Sequence, residues 1–130
     1  MAKVIVSFSN GSQVHFIENG GEILLFHDEM DLVPGDKPLE ARMIITAARR
    51  IYNELSIDAL SIKYDSVGWF EIRIADKDDS PIFEVLFNEA EVDDIYDLLE
   101  CGTGARRYIR SGFEKRNLDI VARILNESLN

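Results

Sequence analysis

Hydrophobic and polar positions alternate most regularly over Trp69–Phe87, and the rest of the chain is best read outward from there. Phe70, Ile72 and Ile74 alternate with Glu71, Arg73 and Ala75, the period-two pattern of a half-buried strand. Phe83, Val85 and Phe87 repeat it after an acidic break. A loop over Lys77–Ser80 sets Ile74 opposite Phe83, Ile72 opposite Val85 and Phe70 opposite Phe87. The same register sets Arg73 against Glu84 on the other face, a favourable cross-strand pair. A slip of one residue would oppose Arg73 to Phe83 and mix the faces, so the pattern specifies the pairing.

The same period predicts a hairpin from residues 3–8 and 13–17, turning at Ser9-Asn10-Gly11. Ile23-Leu24-Leu25-Phe26 is a continuous apolar run, expected as a strand covered on both faces. Leu60, Ile62 and Tyr64 predict a further strand that turns at Ser66-Val67-Gly68 into the central hairpin. Between these stretches the period changes to that of a helix. Ile44, Ala47, Ala48, Ile51 and Leu55 share one side of residues 38–55, with Pro38 in the first turn. A second helix is expected after the hairpin, capped by Asn88 with Glu91 three residues on, its stripe formed by Val92, Ile95 and Leu99 and its stop at Gly102. Thr103–Arg110 reads as a short helical piece, and Ser111 and Glu114 have capping-box spacing for a last helix whose apolar positions are Phe113, Val121, Ile124 and Leu125. These elements predict one α+β domain over residues 1–130. It is an antiparallel sheet of about six strands, in the order βββα-βββ-ααα, with helices packed mainly on one face.

Composition changes this picture chiefly through charge. The net charge is −10, and residues 1–100 hold 21 Asp and Glu against 8 Lys and Arg. Residues 101–117 reverse the balance, with Arg106, Arg107, Arg110, Lys115 and Arg116 against Glu114 alone. So negative a surface repels phosphate backbones, which argues against direct nucleic-acid binding and for a basic protein partner. No apolar run approaches the roughly 20 residues of a membrane helix. The start has no signal-peptide pattern, and the single Cys101 has no partner for an internal disulfide, so a reducing cytoplasm is the expected setting.

Three stretches carry candidate chemistry. Cys101-Gly102-Thr103-Gly104-Ala105-Arg106-Arg107 fits C-x-x-G-x-x-R and resembles, over seven residues, the phosphate-binding loop of cysteine-dependent phosphatases. The resemblance implies Cys101 as nucleophile, the Gly102 and Gly104 backbone as a phosphate cradle, and Arg107 as the clamp on two phosphate oxygens. In that family the Cys ends a buried strand. Here Glu100 stands beside it and opposes ionisation, and Tyr96–Leu99 reads as the end of a helix. The bland alternative is a helix stop followed by a connector, and it is the one expected here. Asp76-Lys77-Asp78-Asp79-Ser80 resembles the start of a calcium loop, but Pro81 stands at the turn glycine and Phe87 at the closing Glu, which leaves a solvated hairpin tip. His15 and His27 have no metal-ligand spacing, and neither metal nor cofactor is expected.

The third stretch is acidic. The hairpin tip (Asp76, Asp78, Asp79) and the second helix (Asp93, Asp94, Asp97, Glu100) together offer a negative patch for docking a basic protein, with Trp69 and Tyr96 as candidate aromatic anchors. The expected function is therefore non-catalytic: inhibition or regulation of a basic protein, in the manner of an immunity protein, an antitoxin or a phage anti-defence protein that mimics nucleic acid. The enzymatic alternative is phosphate-ester hydrolysis at Cys101 and Arg107.

Overall fold

The alternating segments pair into a seven-stranded sheet. Its strands are Lys3–Phe8 (β1), Gln13–Asn19 (β2), Glu22–Leu25 (β3), Ala59–Tyr64 (β4), Trp69–Ala75 (β5), Pro81–Asn88 (β6) and Arg106–Ile109 (β7). Among the described residues three helices accompany them, Pro38–Leu55 (α1), Ile95–Cys101 (α2) and Lys115–Leu129 (α3). The computed structural model describes residues 3–8, 13–19, 22–25, 38–55, 57–65, 67–88, 94–101 and 106–129. The expected Ser9–Gly11 turn and His27 lie outside them.

The sheet runs β3-β2-β1-β4-β5-β6-β7. Every neighbouring pair is antiparallel except β1 and β4, which run parallel with Val4 beside Leu60 and Val6 beside Ile62. The sheet is thus mixed where a purely antiparallel one is expected. The N-terminal meander reaches the second one through α1, and that connection brings β4 alongside β1 in the same direction. The β5–β6 register is the one the pattern demands, with Ile74 opposite Phe83, Ile72 opposite Val85, Phe70 opposite Phe87 and Arg73 opposite Glu84. A bulge at Ile82 then moves Ala75 opposite Pro81.

One face of the sheet is core. Val4, Val6, Val14, Leu60, Ile62, Phe70, Ile72, Ile74, Phe83, Val85 and Phe87 are all buried on it. They form one cluster with Ile44, Ala47, Ala48 and Ile51 of α1, Leu98 and Leu99 of α2, and Val121, Ile124 and Leu125 of α3. Phe70 stacks on Phe87 at 5.3 Å between ring centres and tilts against Tyr64 at 4.7 Å. The helices α1 and α3 are antiparallel, tied by Arg50 to Glu127 at 2.8 Å and by Glu54 to Arg123 at 2.5 Å.

Three local expectations change. Residues 106–109 are strand rather than helix, because β6 offers a free edge and β7 pairs along it, with Glu84 opposite Tyr108. Asn88 is the last residue of β6 and is buried, so it does not cap α2. That cap is Asp94, whose Oδ1 accepts the Tyr96 N–H at 2.9 Å. The third helix starts at Lys115, where the Glu114 carbonyl accepts the Asn117 and Leu118 amides, and Ser111 lies in the preceding turn. Among the described strands β3 pairs with β2 and ends the sheet.

Two turns frame β5, and they are built alike. Asp65 at one end and Asp76 at the other each accept two backbone amides on Oδ1: Val67 and Trp69 in the first, Asp78 and Ser80 in the second, at 2.9–3.0 Å. Each aspartate also donates its own N–H to the residue four on and accepts, on its carbonyl, the N–H of the residue three on. In both, that third residue adopts a left-handed conformation, φ 100° for Gly68 and 63° for Asp79. Glycine takes it freely and aspartate is among the few other residues that tolerate it.

Candidate functional site: the open face of the sheet

Residues that alternate with the core point to the other face of the sheet, against which no described helix packs. Strand register aligns them in rows. One row runs His15, Ile5, Ser61, Arg73, Glu84, Tyr108; the next runs Gln13, Ser7, Lys63, Glu71, Leu86, Arg106. His15 is exposed here and its Nε2 lies 3.0 Å from Gln13 Oε1, in keeping with a side chain that faces away from Val14 and Phe16.

Two depressions mark this face. The larger, 390 Å³, lies over β5, β6 and β7 and its lining includes Glu71, Glu84, Leu86, Arg106, Arg107 and Tyr108. The smaller, 240 Å³, lies over β1, β4 and β5 and is walled by Ser7, Lys63, Asp65, Trp69, Glu71 and Leu86. Glu71 and Leu86 line both, so the two depressions adjoin across the strands as one interrupted furrow, with those two residues between them. Trp69, 39% exposed, stands in one half and Tyr108, 46% exposed, in the other.

The charges on and beside this face are unevenly committed. The Arg73 guanidinium donates to Glu84 Oε1 at 3.0 Å, to Asp79 Oδ1 at 2.9 Å and to the Asp79 carbonyl at 2.7 Å. Asp79 above all, and then Glu84, raise the Arg73 pKa despite its partial burial, so the clamp stays charged at any ordinary pH. At the turn, Arg110 donates to Asp76 Oδ2 at 3.1 Å and to the Pro81 carbonyl at 3.1 Å. The Ser80 amide first, then Arg110 and the Asp78 amide, hold the Asp76 carboxyl below its ordinary range. Glu71 is half-buried and makes neither hydrogen bond nor ion pair with any described residue, although Lys63 lies directly across the strand from it.

The acidic residues singled out from sequence therefore separate. Asp76 and Asp79 are spent within the hairpin on Arg110 and Arg73, while Asp78 projects exposed from its tip. Asp94 serves the α2 cap, also accepting Asn126 Nδ2 at 3.4 Å, and Asp97 is exposed on α2. Asp93 and the Glu100 side chain lie outside what is described. Of the two proposed aromatic anchors, Trp69 is exposed and Tyr96 packs partly buried against the core. Tyr108 is the exposed aromatic that the sequence reading does not single out, because residues 103–110 read as a helical piece.

In the phosphate-loop motif, Cys101 is the last residue of α2, and Gly102 and Gly104 lie outside the described residues. Arg107 sits on β7 opposite Val85, and its guanidinium donates to the Leu99 carbonyl in the last turn of α2. A cation there complements the negative end of the helix. Among the described residues no three His, Cys, Asp or Glu side chains gather as a metal site, and no helix is long and apolar enough to cross a membrane.

No protein-family model, no curated protein and no solved structure matches this chain.

Proposed function

We propose that this chain is a non-catalytic binding module that inhibits or regulates a basic protein in the cytoplasm, and that it docks that protein on the open face of its sheet. One observation carries the reading: two adjoining depressions cross a sheet face that no described helix covers, with an exposed tryptophan in one and an exposed tyrosine in the other. Exposed aromatics beside a concavity are the groups that supply most interface energy, because they bury much area and lose little side-chain freedom. The chain's net charge of −10 supports a basic partner, which it would attract from a distance and orient before contact. A protein that binds nucleic acid has a surface of that kind, so an immunity, antitoxin or anti-defence role remains the fitting biology.

The test is affinity capture from a lysate of the source organism, with the wild type and a Trp69→Ala/Tyr108→Ala variant compared at low and high salt. A basic protein should be retained by the wild type at low salt, released at high salt, and lost from the variant. Retention that ignores both salt and the two substitutions overturns the reading.

A further inference from the structure

We infer that the furrow holds a receptor point for a single lysine or arginine side chain of the partner, with Glu71 as its counter-ion and Trp69 and Leu86 as the platform for its stem. The inference rests on the binding reading above and deepens it. Both depressions share one wall, and that wall is Glu71 and Leu86, neighbours across β5 and β6. Trp69 stands two residues before Glu71 on the same strand and therefore on the same face.

The neighbouring carboxylates are engaged elsewhere. Glu84 and Asp79 hold Arg73, Asp76 holds Arg110, and Asp65 is taken up by two backbone amides. Glu71 alone among these keeps its charge uncommitted, at half-burial, where a cation gains more from it than it would in open solvent. The apolar neighbours fit the rest of such a side chain: a Lys or Arg stem covers Leu86, and its charged head meets an indole face beside the carboxylate.

The surrounding cations sharpen the choice. Lys63 lies across the strand on one side of Glu71, and Arg106 lies beyond Leu86 on the other. A dense basic run would bring a second positive charge against one of them. A single cation has Glu71 to offset those two charges and each further one adds repulsion with no second free carboxylate beside it among the described residues, so the point should prefer an isolated Arg or Lys to a polybasic stretch.

Trp69 is the only tryptophan in the chain, so its fluorescence reports this point directly. The experiment titrates the full chain with the blocked tripeptides Ac-Ala-Arg-Ala-NH2 and Ac-Ala-Gln-Ala-NH2 and with Ac-Arg-Arg-Arg-NH2, following Trp69 emission and backbone amide shifts. The Arg tripeptide should change Trp69 emission and move the Glu71 and Leu86 amides and the Trp69 indole N–H. The Gln tripeptide should bind about tenfold more weakly or not at all, a difference of about 1.4 kcal/mol or more. Glu71→Gln should cost the Arg tripeptide a similar factor while the remaining amide shifts stay native. Trp69→Phe should keep part of the binding as read by the Glu71 amide. Triarginine should bind no better than the single-Arg peptide. An unmoved Trp69 spectrum, or shifts centred on Asp78 and Asp97 that survive Glu71→Gln, overturns the receptor point whatever the face binds. A basic partner captured by wild type but not by the Trp69/Tyr108 variant, with an inert Arg peptide, sinks this inference and leaves the binding module standing.

Discussion

Asp79 occupies the position that glycine fills in the sister turn, and the two turns make a matched comparison at the level of single residues. An alanine at Gly68 would be forced to φ near 100° and should cost about 1–2 kcal/mol in urea unfolding. Asp79→Ala meets a similar backbone penalty and also loses the Arg73 contact, so it should cost at least as much. Asp79→Gly relieves the backbone but loses that same contact, and should fall within about 0.5 kcal/mol of wild type. Glycine and wild type close together at position 79, with alanine clearly below both, is the outcome to check. Asp76 gives a pH-dependent counterpart. Its carboxyl is held below the ordinary value of 3.8, so its contribution to stability is full above that pH and disappears as pH falls through the folded value. The gap in midpoint between wild type and Asp76→Asn should therefore stay constant from neutral pH to about 5 and close below about 4. A gap that persists unchanged in acid would remove the charge from the explanation. The sequence shows the Arg73–Glu84 pair plainly because period two fixes it. It does not show that Asp79 and Asp76 are consumed by Arg73 and Arg110, because those contacts depend on how the loop folds back over the strands.

At the scale of the element, legibility follows burial. Helix α1 spans Pro38–Leu55, the range its stripe and its proline predict, since a long helix packed on a sheet carries a full apolar face. The β5–β6 register is equally plain. Strand β7 is not, because three of its four residues are exposed and no alternation betrays it. It is made by the edge it pairs with, a tertiary cause that a local pattern lacks. The start of α2 misleads for a related reason: Asn88 and Asp94 are both good capping residues, and strand β6 claims the first. That correction alters what the acidic residues should do. Asp94→Ala should cost about 1 kcal/mol through the lost cap, whereas Asp97→Asn should leave stability within about 0.5 kcal/mol of wild type. Thermal or urea unfolding of both variants decides it, and equal effects would refute the assignment of the cap. In the core, Ile72→Ala should cost roughly 2–5 kcal/mol, since the side chain is wholly buried mid-sheet.

For the molecule as a whole, charge and shape act at different ranges. On the proposed function the net charge would govern approach, so association with a basic partner should slow several-fold from low to physiological salt, while dissociation changes less. Stopped-flow or surface kinetics on the captured partner would show it, and an unchanged association rate would remove electrostatic steering. On the same proposal the furrow would govern residence, so Trp69→Ala should act mainly on dissociation. The parallel joint between β1 and β4 has a different consequence, one of timing. Residues 3–8 must find residues 59–64 across the whole first meander and α1, whereas β4, β5 and β6 join through short turns. Local hairpins close cheaply and distant strands late, so the second meander should form the folding nucleus and the joint should zip afterwards. Ile72→Ala should then slow refolding, while Val6→Ala, at the joint, should chiefly hasten unfolding. A chain emerging from the ribosome would hold its first three strands in waiting until β4 has been made, with the edge of β1 open to any other strand that arrives first.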